Sequence, residues 1–203
     1  MKMRMTVLLV AAFVALSSLL ARPAMAEGLD SKDIIANSPY EIGVLAGYGW
    51  AMDRLPQETQ IEHAVIMPAF SIPLVRREVG PSILKGIVQY QCEPVLGQIT
   101  KPNGRMEFGL SFAGFKYNFT SLNSRWSPYS NFGFGMIYEP IGHHVQGTNL
   151  NFILQTGVGL QYFLDEKNAL NVQYRYRHIS NATMELPNSS INSSFVLVGY
   201  SFF

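Results

Sequence analysis

Apolar and polar side chains alternate along much of this chain, most clearly in its second half. Phe152, Leu154, Thr156, Val158, Leu160 and Tyr162 face Asn151, Gln155, Gly157, Gly159 and Gln161 across that alternation, with Ile153 the one interruption. Side chains of a strand point to opposite faces with period two, so the segment predicts a strand with one oily face and one small or polar face. The same period runs through Leu170, Val172, Tyr174 and Tyr176 against Asn171, Gln173, Arg175 and Arg177. Eight such segments, separated by turn residues, are predicted over 40–50, 63–74, 83–95, 106–119, 129–138, 150–163, 169–180 and 195–203. A soluble sandwich would bury the oily face and expose a charged one. Here the second face is rich in Gly, Asn, Gln and Ser, which suits the interior of a narrow barrel with lipid outside. The predicted fold class is all-β: an eight-stranded antiparallel transmembrane β-barrel of the bacterial outer membrane.

Composition strengthens this reading. Charged residues make up 14% of the chain and aromatic residues 12%, with 17 glycines, a balance better suited to a sheet with one face in lipid than to a soluble globule. Val196, Val198, Tyr200 and Phe202 alternate up to the final Phe203, and an aromatic closing strand of this kind resembles the carboxyl-terminal signal of bacterial outer-membrane barrels. At the other end, Lys2 and Arg4 precede an uncharged apolar run from Met5 to Leu20 and then Ala24-Met25-Ala26. That order predicts a secretory signal peptide over 1–26 and a barrel over 27–203, because the run is shorter than the roughly 20 residues of a spanning helix. Without Lys2, Arg4 and Arg22 the 15 basic residues fall to 12 against 14 acidic, which leaves no basic footprint for nucleic acid. The single cysteine, Cys92, excludes an intramolecular disulfide and reads as a small apolar filler on a strand.

Topology then places the chemistry. With both termini in the periplasm, odd-numbered strands run outward; the short connection 164–168 is a periplasmic turn and the longer 181–194 an exterior loop. His178 and Ser180 continue the even, oily face at the outer end of the seventh strand. Serine attacks esters only when a base takes its proton, and histidine titrates near neutrality. Two residues apart on one face, their roots are about 6 to 7 Å apart, a span that imidazole can close.

The stretch Arg177-His178-Ile179-Ser180-Asn181-Ala182, followed by Pro187-Asn188 and Asn192, resembles the signature of the outer-membrane lipid A 3-O-deacylases, also called acyloxyacyl hydrolases. The resemblance is strong over 175–203 and compatible upstream, around Gln91-Cys92-Glu93-Pro94. It implies a serine esterase that removes the ester-linked 3-position acyl chain from lipid A of lipopolysaccharide, with Ser180 as nucleophile and His178 as general base. The family's third member is an acid fourteen residues beyond the histidine, where this chain carries Asn192. An amide oxygen can hold the imidazole N–H, as in Cys-His-Asn enzymes, but cannot offset the imidazolium charge. Glu185 is the alternative acid, unless it is a solvated loop-tip charge. For the oxyanion the resemblance points to Asn188, supported by backbone N–H groups near Ala182 and Thr183. Asn181 either takes a direct part or shapes the turn. Thr183 and Ser190 stand where the family usually has glycine, and a positive φ at Thr183 would be strained.

No metal or organic cofactor is implied. His143-His144 lies in the predicted exterior loop 139–148 without an evident third ligand. Arg175 and Arg177 fall on the odd, interior parity, where interior acids such as Glu41 or Glu107 are the expected partners. The expected partners of the protein are lipid A as substrate and the surrounding outer-membrane lipid; a homo-oligomer is compatible with the pattern. A non-catalytic structural or adhesive barrel is the rival reading, and a small pore is disfavoured by the narrow lumen of eight strands.

Overall fold

The computed structural model describes residues 29–52, 60–121 and 124–203; the predicted signal peptide lies outside them. A short helix α1 (Ser31–Asn37) is followed by β1 (Glu41–Ala51), β2 (Glu62–Pro73), β3 (Gly86–Lys101), β4 (Met106–Phe119), β5 (Trp126–Tyr138), β6 (Leu150–Phe163), β7 (Asn168–Ser180) and β8 (Ile191–Phe202). Each strand pairs antiparallel with its chain neighbours, and β8 closes on β1 to complete the barrel. Hydrogen-bond partners followed from Glu41 run through Ser71, Gln91, Gly114, Gly133, Gln155, Arg177 and Ser193 and return to β1 at Ala51. The row therefore climbs along β1 as it circles the barrel. This stagger tilts the strands and offsets the rim, as closure of a small barrel requires. Among the described residues, no helix is long and apolar enough to cross a membrane.

The alternation read from the sequence decides what faces where. Leu154, Val158, Leu160, Val172, Tyr174, Val196 and Val198 are exposed on the outer surface, while Asn151, Gln155, Gln161, Asn171, Gln173, Arg175 and Arg177 are buried inside. Among the described residues, three ion pairs cross the interior. Glu41 takes Lys116 at 2.7 Å, Arg175 forms a two-pronged bridge to Glu93, and Arg177 reaches Glu107 at 2.8 Å. The expectation that both arginines pair with interior acids holds, Arg177 with Glu107 and Arg175 with Glu93, while Lys116 occupies Glu41 from across the lumen. Gly97 makes room for Glu107: a Cβ there would meet the carboxylate oxygen at 2.6 Å.

Apolar clusters close the lumen at both ends. At the end carrying the β7–β8 loop, here the upper end, Ile61, Ile99, Ile137, Ile141, Ile153 and Ile179 pack together. At the lower end α1 inserts Ile34 and Ile35 against Ile87, Phe163 and Ala169. Asp30 caps this helix by accepting from Lys32 N–H at 2.9 Å, which satisfies one otherwise orphaned donor. Lys32 also reaches Glu78 in the β2–β3 connection at 3.2 Å, and Thr120 with Lys32 holds that carboxyl below the usual glutamate range.

Three strands depart from the sequence reading by three residues or more, β5 among them because it starts at Trp126 rather than at residue 129. β3 continues past residue 95 to Lys101, and β8 starts at Ile191 rather than at residue 195. Asn192, Ser193 and Ser194 look loop-like in sequence, yet they pair with His178, Arg177 and Tyr176. The upper loop is accordingly 181–190.

Candidate active site

His178 and Ser180 are the penultimate and last outward-facing residues of β7, and both are partly exposed. Their inward neighbours Arg177 and Ile179 are fully buried. This anchors the strand, because Arg177 is bound to Glu107 and its guanidinium lies 4.3 Å from the Phe195 ring centre.

The register places Asn192 directly opposite His178. The imidazole Nδ1–H donates to Asn192 Oδ1 at 2.7 Å. Tyr176, the preceding outward residue of β7, donates its hydroxyl to the same oxygen at 2.5 Å. An amide oxygen only accepts, so Nδ1 carries the proton and Nε2 is left with the lone pair. Ser180 Oγ accepts from the backbone N–H of Ala182 at 3.1 Å. Among the described residues Ser180 and His178 are not hydrogen-bonded to each other; such bonds are often long in ligand-free sites and tighten with substrate.

The loop after Ser180 is tightly built. Asn181 is buried and its Nδ2 donates to Glu185 O at 2.6 Å, while its backbone N–H donates to Asn188 Oδ1 at 3.1 Å. Asn181 therefore shapes the loop. Asn188 is further held by a bridge to Gln146 in the β5–β6 loop, where Gly147 N–H meets Pro187 O at 2.7 Å and Ser189 N–H meets Val145 O at 3.1 Å. His143 belongs to this support, its Nδ1–H donating to Gly147 O at 2.7 Å. Glu185 is exposed at the loop tip, and His178 Nδ1 is already taken by Asn192.

Ala182 and Thr183 adopt φ of 53° and 60°, the left-handed region that a β-branched residue occupies only under strain. Thr183→Gly is expected to raise resistance to denaturant by about 1 kcal/mol. A fall in stability would show that the Thr183 hydroxyl, which donates to Ala182 O at 2.6 Å, outweighs the strain.

His63, Glu107 and Glu139 bring three potential ligand atoms within 4.8 Å of one another inside the barrel. Both Glu107 oxygens are engaged, one by His63 at 2.9 Å and one by Arg177 at 2.8 Å. The group is a buried charge network on the opposite side of the sheet from Ser180. Sequence reading overlooked Tyr176 at the site; its parity was visible, but the reach of its hydroxyl across to β8 was not.

A closed eight-stranded antiparallel barrel with an apolar outer belt and a polar lumen defines the class of outer-membrane barrels, and its rim carries a serine and a histidine on one face. Residues 89–201 match the sequence model described as lipid A 3-O-deacylase (PagL), and the chain belongs to that family. The fold agrees with solved structures. The outer membrane enzyme PagL aligns with 78% of this chain and 97% of its own at 18% identity and TM-score 0.53. Neisserial surface protein A aligns with 81% of this chain and 97% of its own at 13% identity and TM-score 0.58. No curated protein matches the sequence. Identities this low speak for the barrel alone, so activity is argued from the family and the site.

Proposed function

We propose that this protein is an outer-membrane serine esterase that removes the ester-linked 3-position acyl chain from lipid A. The observation that carries the reading is the 2.7 Å bond between His178 Nδ1–H and Asn192 Oδ1 on the same outward edge as Ser180. It leaves the Nε2 lone pair available on the face that carries Ser180 two residues along β7, within the span matched to the family. With the chain termini in the periplasm, this rim lies in the lipopolysaccharide leaflet and substrate arrives by lateral diffusion.

The chemistry follows the serine-hydrolase pattern. His178 Nε2 takes the Ser180 proton as Oγ bonds to the ester carbonyl carbon, and the carbonyl electron pair moves onto oxygen. The Ala182 N–H already points at Oγ; with the Thr183 N–H and the Asn188 side-chain Nδ2 it stabilises the tetrahedral anion. The bond to the sugar oxygen then breaks, and the imidazolium returns the proton to that departing alcohol. Water, deprotonated by Nε2, attacks the acyl-serine, releases the fatty acid and restores Ser180. Every step draws on side chains, backbone and water.

Purified protein incubated with lipopolysaccharide tests the activity: mass spectrometry of lipid A is expected to show loss of one hydroxyacyl group. An unchanged profile with correctly folded protein overturns the reading and leaves a structural or adhesive barrel. A finer test is Asn188→Asp, which keeps an acceptor for the Asn181 N–H and removes the donor to the oxyanion. Its kcat is expected to fall about 100-fold or more with little change in KM; an unaltered kcat would exclude Asn188 from the oxyanion site.

A further inference from the structure

Asn192 Oδ1 is shared by two donors from one strand, the His178 ring and the Tyr176 hydroxyl. A carboxylate at this position would present an acceptor oxygen whichever way it turned. An amide does not: turned over, it offers Nδ2–H to the ring. Nδ1 would then have to lose its proton and Nε2 would carry it, and a protonated neutral Nε2 cannot take the Ser180 proton. An asparagine in this role therefore works only while its oxygen faces the histidine.

We infer that Tyr176 is a positioning residue that locks the Asn192 amide with its oxygen toward His178, and so keeps the imidazole in the tautomer that can act as base. This rests on the proposed serine-esterase reading. The phenol is a good donor and, with its oxygen conjugated to the ring, a poor acceptor for Nδ2–H, so it favours the oxygen-facing state by a factor of roughly two to ten, the range of a single hydrogen bond in a folded protein. Tyr176 reaches Asn192 because β7 and β8 are in register at this rim: Tyr176 faces Ser194, two residues along β8 from Asn192 on the same outer side. The adjoining Tyr174 makes the parallel contact one step below, its hydroxyl 2.7 Å from Ser194 Oγ. The two tyrosines thus clamp the first turn-side residues of β8 onto β7, and only the upper one touches the oxygen that holds the ring.

The test is a pair of substitutions in the full-length protein in detergent or lipid. Tyr176 is partly exposed on the outer face, so phenylalanine is accommodated there, and retained heat-modifiable migration on a gel confirms the barrel. With Asn192 present, Tyr176→Phe is expected to lower kcat for lipid A hydrolysis by about threefold and up to about tenfold, with KM little changed. In an Asn192→Asp background, where either oxygen can accept, the same substitution is expected to change kcat less than twofold. An equal loss in both backgrounds overturns the lock and shows that Tyr176 serves only to pack the rim.

A second measurement needs no activity. Nitrogen-15 spectra of the His178 ring are expected to show the Nδ1-protonated tautomer in the wild type and a substantial Nε2-protonated population in Tyr176→Phe. Spectra that do not differ overturn the proposal. If the wild type leaves lipid A intact, the esterase reading fails on its own, and the ring spectra still decide the lock.

Discussion

Ser180→Ala is expected to leave the barrel folded and to lower lipid A deacylation by at least about 1000-fold, and His178→Ala to do the same. In a serine-histidine site the nucleophile and base act as a unit, so losing either costs nearly as much as losing both. What remains after either loss comes from the oxyanion donors and substrate positioning. The stability side is equally specific. Ser180 and His178 end a strand on its lipid-facing side, so truncating them opens no core cavity and breaks no interior ion pair. The measurement is initial rate of fatty-acid release, with heat-modifiable gel migration as the control for folding. A Ser180→Ala protein within tenfold of the wild-type rate would remove Ser180 as nucleophile.

Glu107→Gln is expected to have the largest effect on the fold, destabilising the barrel by about 3 to 5 kcal/mol. Glu107 is fully buried and holds two partners, the Arg177 guanidinium at 2.8 Å and the His63 ring at 2.9 Å. Removing one partner of a buried ion pair leaves the other charge uncompensated where water cannot reach it, and that loss exceeds what the pair contributes when intact. The glutamine keeps the shape, so the effect reads the charge and not a cavity. Arg177 lies between Tyr176 and His178 on β7, so the variant is also expected to loosen the catalytic edge and lower activity. Urea titration of barrel unfolding in lipid vesicles measures it. A shift below about 1 kcal/mol would show that Arg177 reaches solvent or is compensated by the neighbouring Glu139.

Much of this architecture was legible because strand parity is a property of the backbone. Once Leu170, Val172, Tyr174 and Tyr176 are outward, His178 and Ser180 must be outward too, and the structure places them so. Partners across the lumen were less legible. Which acid each arginine meets, Glu93 for Arg175 and Glu107 for Arg177, depends on the stagger of closure, which no single strand reveals. The early start of β8 was hidden by Asn192-Ser193-Ser194, polar residues that resemble a loop but continue the ladder at a polar rim. Helix α1 carries too few residues for a periodic signal; it is stabilised by Ile34 and Ile35 entering the lower end of the lumen. At the site, Asn181 was equally readable as participant or turn-former, and only the bonds from its Nδ2 to Glu185 O and its N–H to Asn188 separate the two. The strain at Thr183 was anticipated from the missing glycine, and its φ of 60° bears this out.

The central claim is that Ser180, activated by His178, is a nucleophile that works from the lipid-facing rim. An alkyl fluorophosphonate presented in vesicles holding the folded protein tests it most directly, with peptide mass spectrometry to locate the adduct. The account predicts one phosphonyl group on Ser180 in the wild type and none in His178→Ala. A wild-type protein that remains unlabelled, or one labelled at another residue, would contradict it.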